Sequence, residues 1–367
     1  MTTPLANKIR NIIRHNGPLS VTDYFALCLA DPEYGYYKTR EPFGQAGDFI
    51  TAPEVSQLFG EMLGIFLVHA WQRHGSPTEN VCLVEIGPGR GTMMLDMLRV
   101  ISKLAPALFE AASVHLVETS ERLRGVQRIT LESYSSKISW FGDFEDVPPG
   151  FTLLAANELF DAIPMRQFVK TATGFRERLV TLDANDELAF AAGIATIDPS
   201  LLPAPPGNEP EGTIFEIAPA RQAVMQALSE RLRRDGGTAA IIDYGYMVAG
   251  YGDTLQAVLR HHYDDALAHP GEADLTSHVD FQDLAKVAGA VGLQINGCLR
   301  QGDFLYGLGL AERAAALASG KAFEEQKAIA AAADRLAGEG AGKMGELFKV
   351  LAVSSPAVQL SPFRQID

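Results

Sequence analysis

No stretch of this 367-residue chain approaches the roughly 18 consecutive apolar residues that a bilayer-spanning helix demands. The best run, Met62 to Val68, is closed by His69 and Arg73, so no integral membrane segment is expected. Cysteine is equally scarce. Cys28, Cys82 and Cys298 stand far apart with no CxxC pair and no neighbouring histidine cluster, which argues against a zinc knuckle or a disulfide framework and for three reduced, buried thiols. The N-terminal residues lack the apolar core and small-residue cleavage site of a secretion signal, and the expected location is the cytoplasm. Basic charge is also short: 31 Lys and Arg face 45 Asp and Glu, a net charge of −14. No nucleic-acid partner held by counterion release is therefore expected. Cationic substrates suit that sign, although excess acid also keeps a protein soluble.

What is present describes a globular protein: 47% hydrophobic and 21% charged residues exclude disordered and fibrous classes. The length fits two domains or one enlarged α/β domain. Leu5, Ile9, Ile12 and Ile13 recur at helical spacing, and Ser56 to His74 reads as a second helix closed by Gly75. Between them, Asp31 to Glu54 is rich in Gly, Pro and aromatic residues and is read as a lid. From Val81 the pattern changes to apolar strands alternating with helices, at 81–86, 114–118, just before Trp140 and at 151–157. Such alternation predicts a parallel, doubly wound sheet. After Pro164, QFVKT and RERLVTL read as strands of a meander, followed by a Pro-rich surface linker from Leu201 to Gly212. A helix over 219–234 and a strand over 238–244 resume the sheet. Beyond them come a helix, the strand LQINGCL, an Ala-rich helical stretch from Gly302 to Leu336 and a last strand at 348–355.

The strongest chemical feature is the turn that follows the first of these strands, Glu85, Ile86, Gly87, Pro88, Gly89, Arg90, Gly91, with a helix starting near Thr92. Glycines let the backbone bend sharply and approach a ligand, and a helix N-terminus supplies free N–H donors. A dinucleotide fingerprint requires a third glycine where Thr92 stands, which leaves an NAD-dependent dehydrogenase a distant alternative. The acid Glu85 before the turn suits a cationic ligand better than a pyrophosphate, and S-adenosylmethionine carries both an ammonium and a sulfonium. Glu118, at the end of the second strand, is placed to accept the ribose hydroxyls, and Asp143, after the third, to accept the adenine amino group. Either acid alone reads equally well as a surface cap.

Seven further stretches carry a resemblance: DPEYGYY (31–37), GDFITAPEVSQLFGE (47–61), VEIGPGRGTMMLDMLR (84–99), NELFDAIP (157–164), IIDYGY (241–246), DTLQAV (253–258) and PGEADLTSHVDF (270–281). In these the chain resembles, over nearly its whole length, the MidA-like methyltransferases, the family that includes a mitochondrial complex I assembly factor. The resemblance implies an α/β, Rossmann-like seven-strand methyltransferase sheet with S-adenosylmethionine as donor. It also implies a protein substrate, the 49-kDa-type subunit of NADH:ubiquinone oxidoreductase, dimethylated symmetrically on arginine; eukaryotic relatives act in the mitochondrial matrix. The expected organisation is a helical N-terminal cap with its lid (1–78), the first half of the core (79–164), a β-rich substrate-recognition insertion between the fourth and fifth strands (165–216), and the second half of the core (217–367). That second half carries a lid segment (245–281) and a helical insertion (302–345). The donor set is Glu85, Gly87, Pro88, Gly89, Gly91, Glu118, Asp143 and Asn157.

On the acceptor side, an arginine needs carboxylates that hold its planar guanidinium in a fork. Glu158 and Asp161, at the C-terminal edge of the sheet, are the first candidates, with first-turn helix acids behind Asn157 as the alternative. Glu216, inside an apolar strand, reads equally as a guanidinium partner or a salt-bridged edge residue. Asp243, beside Tyr244 and Tyr246, ends the fifth strand. The segment 261–280 holds four of the eight histidines, yet its spacings match no metal-binding pattern, so no metal is expected. His278 there is a candidate to take a proton or bind a substrate carbonyl. Two other activities remain open from sequence: a small-molecule or lipid methyltransferase, and an assembly chaperone that binds the donor without turnover.

Overall fold

The structure is a computed structural model that describes residues 3–39, 51–203, 207 and 209–363. The centre of the expected N-terminal lid, residues 40–50, lies outside the described residues. The chain forms two compact units. One comprises residues 50–159, 224–247 and 281–367; the other comprises 1–49, 160–223 and 248–280.

The first of these units is built on β1 (Val81–Ile86), β2 (Ala112–Val117), β3 (Ile138–Phe141), β4 (Phe151–Asn157), β5 (Gly237–Tyr246), β6 (Gln294–Arg300) and β7 (Phe348–Ser355). They lie in the order β6-β7-β5-β4-β1-β2-β3. The pairs from β5 to β3 are parallel, whereas β7 runs antiparallel to both β5 and β6. The expected mixed α/β architecture is thus observed. Every residue of β1 is buried, as a parallel strand covered on both faces requires.

The expected boundary of the N-terminal cap needs correcting, because helix Gln57–Arg73 belongs with the sheet. The reason lies in two glycines. A Cβ on Gly60 would sit 2.7 Å from the Asp96 Cβ, and one on Gly64 3.1 Å from the Met97 Cα, so the backbone approaches helix Thr92–Leu104 closely. Leu58, Phe59, Met62, Leu63 and Phe66 then join Met93, Met94 and Met97 in one core. The Ala-rich stretch is helical, as expected. It is three helices, Gln301–Gly307, Leu310–Ala318 and Phe323–Ala337, with Gly309 breaking the run at φ +93°.

The other unit joins helices Pro4–Asn16 and Val21–Ala30, capped by the Thr3 and Ser20 hydroxyls, to an antiparallel sheet. Strands Leu19–Ser20, Gly174–Leu182, Arg166–Thr171 and Ile214–Ile217 follow one another in that sheet, and Leu188–Thr196 pairs with Gly174–Leu182. Cap and insertion, expected as separate pieces, therefore form one unit. Their shared core includes Leu5, Ile9, Tyr24, Phe25, Met165 and Val180. Strand Leu188–Thr196 escaped prediction because its Ala- and Gly-rich sequence lacks the alternation of a strand and carries β-branched side chains only at Ile194 and Thr196. The expected second lid contains a small antiparallel sheet of Gln256–Leu259, His262–Asp264 and Asp274–Thr276.

Candidate functional site

Strands β1, β2 and β4 end side by side, and each remains tied to its neighbour one residue past its end. The Gly87 N–H donates to the Val117 carbonyl (3.0 Å), Glu118 N–H to Phe141 (2.9 Å) and Glu158 N–H to Ile242 (2.9 Å). At the end of β1, Gly87, Gly89 and Gly91 take φ of +69°, +52° and +82°, a left-handed path that side chains disfavour. The Gly91 N–H closes the turn onto the Pro88 carbonyl at 2.7 Å. Gly91 is also the N-cap of helix Thr92–Leu104 and offers no side-chain cap. Free N–H donors thus open onto the turn.

Glu85 is 2% exposed and its Oε2 meets no hydrogen-bond partner. Burial pushes its carboxyl up to about 8, against the lowering effect of the Met94 backbone N–H. A buried carboxyl in this condition calls for a cation. Glu118 is buried too. Its Oε1 accepts from Ser120 N–H at 2.7 Å and its Oε2 from Gln127 Nε2 at 3.3 Å, while burial raises its pKa. Gln127 also donates to the Gly89 carbonyl (2.8 Å) and accepts from Trp140 Nε1 (2.9 Å). It braces the turn against the second acid, a role that sequence gave no means to see. Asp143 is exposed, and its Oδ1 caps the short helical turn Phe144–Asp146 through Glu145 N–H at 3.0 Å. The buried Asn157 donates to Glu158 Oε1 at 2.9 Å, and its own Oδ1 has no partner.

The acceptor candidates divide between the two units. Glu158 and Asp243 belong with the sheet: Glu158 directly follows β4, and Asp243, expected to end the fifth strand, lies one residue past the last β4–β5 pair but within β5, which runs on to Tyr246. Glu158 sits at φ +51°, a strained position for a residue with a side chain. Its Oε1 also accepts from Ala52 N–H at 3.4 Å. Asp243 is fully buried and accepts from the Tyr244 N–H at 2.9 Å.

Asp161, Glu216 and His278 belong to the other unit. There the buried Arg221 gathers backbone: it donates to the carbonyls of Ile163 (3.0 Å), His278 (2.6 Å) and Asp161 (3.3 Å) and to Ser277 Oγ (2.5 Å). Arg221 was not singled out in the sequence, since one arginine in a first helical turn carries no signal. Glu216 accepts from Gln167 Nε2 (2.7 Å) and Thr254 N–H (3.0 Å) on one oxygen and from Thr254 Oγ1 (2.5 Å) on the other. Thr254 Oγ1 in turn accepts from His278 N–H at 3.1 Å. Burial raises the Glu216 pKa against these hydrogen bonds. Among the described residues no group of three or more His, Cys, Asp or Glu side chains is arranged to hold a metal ion. Nor is any helix long and apolar enough to cross a membrane.

Comparison with known proteins decides what this geometry serves. Residues 62–299 match the profile of a family described as "Putative S-adenosyl-L-methionine-dependent methyltransferase". The chain belongs to that family. The methyltransferase is 37% identical to the mouse (Mus musculus) protein arginine methyltransferase NDUFAF7, mitochondrial, over 333 residues, 84% of this chain and 74% of the relative. It is 34% identical to the zebrafish (Danio rerio) protein of the same name over 378 residues, 95% of this chain and 88% of the relative. A Burkholderia thailandensis protein solved with bound S-adenosyl-homocysteine superposes with a TM-score of 0.83 at 26% identity, covering 97% of this chain and 93% of that one. Membership makes S-adenosylmethionine the donor, and the dehydrogenase alternative falls with the glycine that Thr92 replaces.

Proposed function

We propose that this methyltransferase methylates arginine side chains of a protein, with Glu158 and Asp243 holding the guanidinium. The observation that carries the reading is the pair of carboxylates just past the last residue pair of two adjacent strands, Glu158 on strained backbone with an oxygen fixed by two donors and Asp243 within β5. The relatives' names support the acceptor class. S-adenosylmethionine, when bound, supplies a sulfonium methyl for in-line displacement, so the protein's work is alignment and exclusion of water.

On this reading Glu85 offers its unpartnered oxygen to the donor's ammonium, while Gly87, Pro88, Gly89 and Gly91 admit the donor's amino-acid portion to the turn. Glu118 accepts the ribose hydroxyls, Asp143 the adenine amino group through Oδ2, and Asn157 presents its amide oxygen between donor and acceptor. Glu158 and Asp243 orient the guanidinium and favour charge on the nitrogens that are not attacking. The attacking nitrogen sheds its proton after transfer. Glu216, with both oxygens engaged by Gln167 and Thr254, acts in this scheme by shaping the insertion. The proposed substrate is the 49-kDa-type subunit of NADH:ubiquinone oxidoreductase, dimethylated symmetrically, in the cytoplasm where the relatives are mitochondrial.

The test is mass spectrometry of that subunit after incubation with the protein and methyl-labelled S-adenosylmethionine, with Gly89→Val as control. Label on arginine that the control lacks is the expected result. Label on another residue type, or none while calorimetry shows the donor bound, overturns the acceptor assignment.

A further inference from the structure

Helix Thr92–Leu104 starts at the donor turn without a side-chain cap, yet its first residue is not left to solvent. Thr92 Oγ1 donates to Glu54 Oε1 at 2.7 Å, and Arg90 Nη1, within the turn, stands 3.9 Å from Glu54 Oε2. A hydroxyl bound to a carboxylate at this distance is a strong, charge-assisted bond, and a negative charge beside a helix N-terminus is stabilising. Glu54 lies on the four-residue helix Ala52–Val55, whose first N–H is the donor to Glu158 Oε1. One short piece of chain therefore touches both the donor turn and the strand-end carboxylate, and all of these residues belong to the same unit. Glu54 itself is partly exposed and sits outside the apolar core, so core packing does not account for it.

We infer that Glu54 is a positioning residue for methyl transfer, fixing Thr92 and Arg90 of the donor turn in register with Glu158. The acceptor half rests on the proposed role of Glu158; the donor half does not. A carboxamide at position 54 keeps the shape but loses the charge that orients Thr92 and Arg90, so the turn relaxes and its spacing from Glu158 is no longer held.

The experiment is a double-mutant cycle on the full chain. Wild type, Glu54→Gln, Thr92→Val and the double variant are compared for S-adenosyl-homocysteine affinity by calorimetry and for kcat at saturating donor on an arginine-containing peptide. Glu54→Gln is expected to weaken donor binding by about 3- to 10-fold and to lower kcat by a further ~10-fold, with the double variant no worse in binding than Glu54→Gln alone. Glu54→Asp, which keeps the charge but lacks the reach, is expected to shift both quantities the same way and serves if the carboxamide fails to fold. Thermal melting without ligand should change little, which separates positioning from loss of structure. Additive binding losses, or unchanged donor affinity, overturn the inference. So does unchanged kcat in Glu54→Gln when the wild type methylates the peptide. A wild type inactive on arginine instead refutes the proposed acceptor, and the binding cycle alone then decides the role of Glu54.

Discussion

The Glu85 carboxyl is the residue whose protonation the proposed chemistry most directly exploits. Burial raises it from 4.5 to about 8, so in the folded protein without donor it keeps a proton that the unfolded chain gives up near its ordinary value. Glu85 therefore lowers stability progressively as pH rises from 4.5 towards 8, and adds no further penalty above that. An ammonium placed against it reverses the preference and expels the proton. Donor affinity should accordingly climb between about pH 6 and pH 8, by up to about tenfold per unit at full coupling. Calorimetry in buffers of different ionisation enthalpy would register the released proton, and a flat affinity profile would remove Glu85 from the ammonium site. At the same scale, Glu158→Gln should cut kcat on arginine by at least ~100-fold with donor affinity nearly unchanged, as read by steady-state kinetics beside calorimetry. Glu85 and the glycines were legible because the turn keeps its chemistry within a few consecutive residues. Gln127, Arg221 and Glu54 were not, because each makes a contact that defines its role across 38 or more positions of sequence, to Gly89, Ile163 and Thr92 respectively.

Among the elements, helices Gln57–Arg73 and Thr92–Leu104 depend on glycine for their close approach. Gly60→Val sets a branched side chain where even a Cβ lies 2.7 Å from Asp96 and 2.9 Å from the Met93 carbonyl. The expected loss is about 2–3 kcal/mol in urea titration, and because the second helix starts at the donor turn, weaker donor binding should accompany it. In the antiparallel unit, Arg221→Ala removes a donor at once from the Asp161, Ile163 and His278 carbonyls and from Ser277 Oγ. A loss of about 3 kcal/mol or more is expected, with faster hydrogen exchange around residues 161–163 and 277–278. Strand periodicity made most of the sheet readable, β1 and β4 above all. The long Ala-rich stretch was legible as helical, but not where it breaks, because helix propensity is nearly uniform along it and the two breaks fall at the left-handed glycines Gly309 and Gly320. Strand Leu188–Thr196 forms by pairing with Gly174–Leu182 rather than by any preference of its own.

For the molecule as a whole, the proposed donor contacts all fall in the unit made of residues 50–159, 224–247 and 281–367. S-adenosyl-homocysteine at 100 times its Kd should stabilise that unit by about 2.7 kcal/mol. Calorimetric melting should show the ligand moving the transition that carries the sheet, and Gly89→Val should abolish the shift. A single transition moving as one would mean that the units unfold together. The division into units was the least legible feature of the sequence, since it unites residues 1–49 with an insertion more than a hundred positions later. Local pattern carries no record of such long-range packing.

The place of β7 between β5 and β6 has a consequence for a chain emerging from the ribosome. Those two strands are made well before residues 348–355, yet neither can acquire its final neighbour until that segment has cleared the exit tunnel. Until then one edge of β5 and both edges of β6 stand open, as adhesive surfaces that edge-to-edge aggregation exploits. A nonsense codon after residue 300 and before residue 348 makes that exposure permanent, and the truncated product is expected in the insoluble fraction even though every proposed donor and acceptor residue has been synthesised.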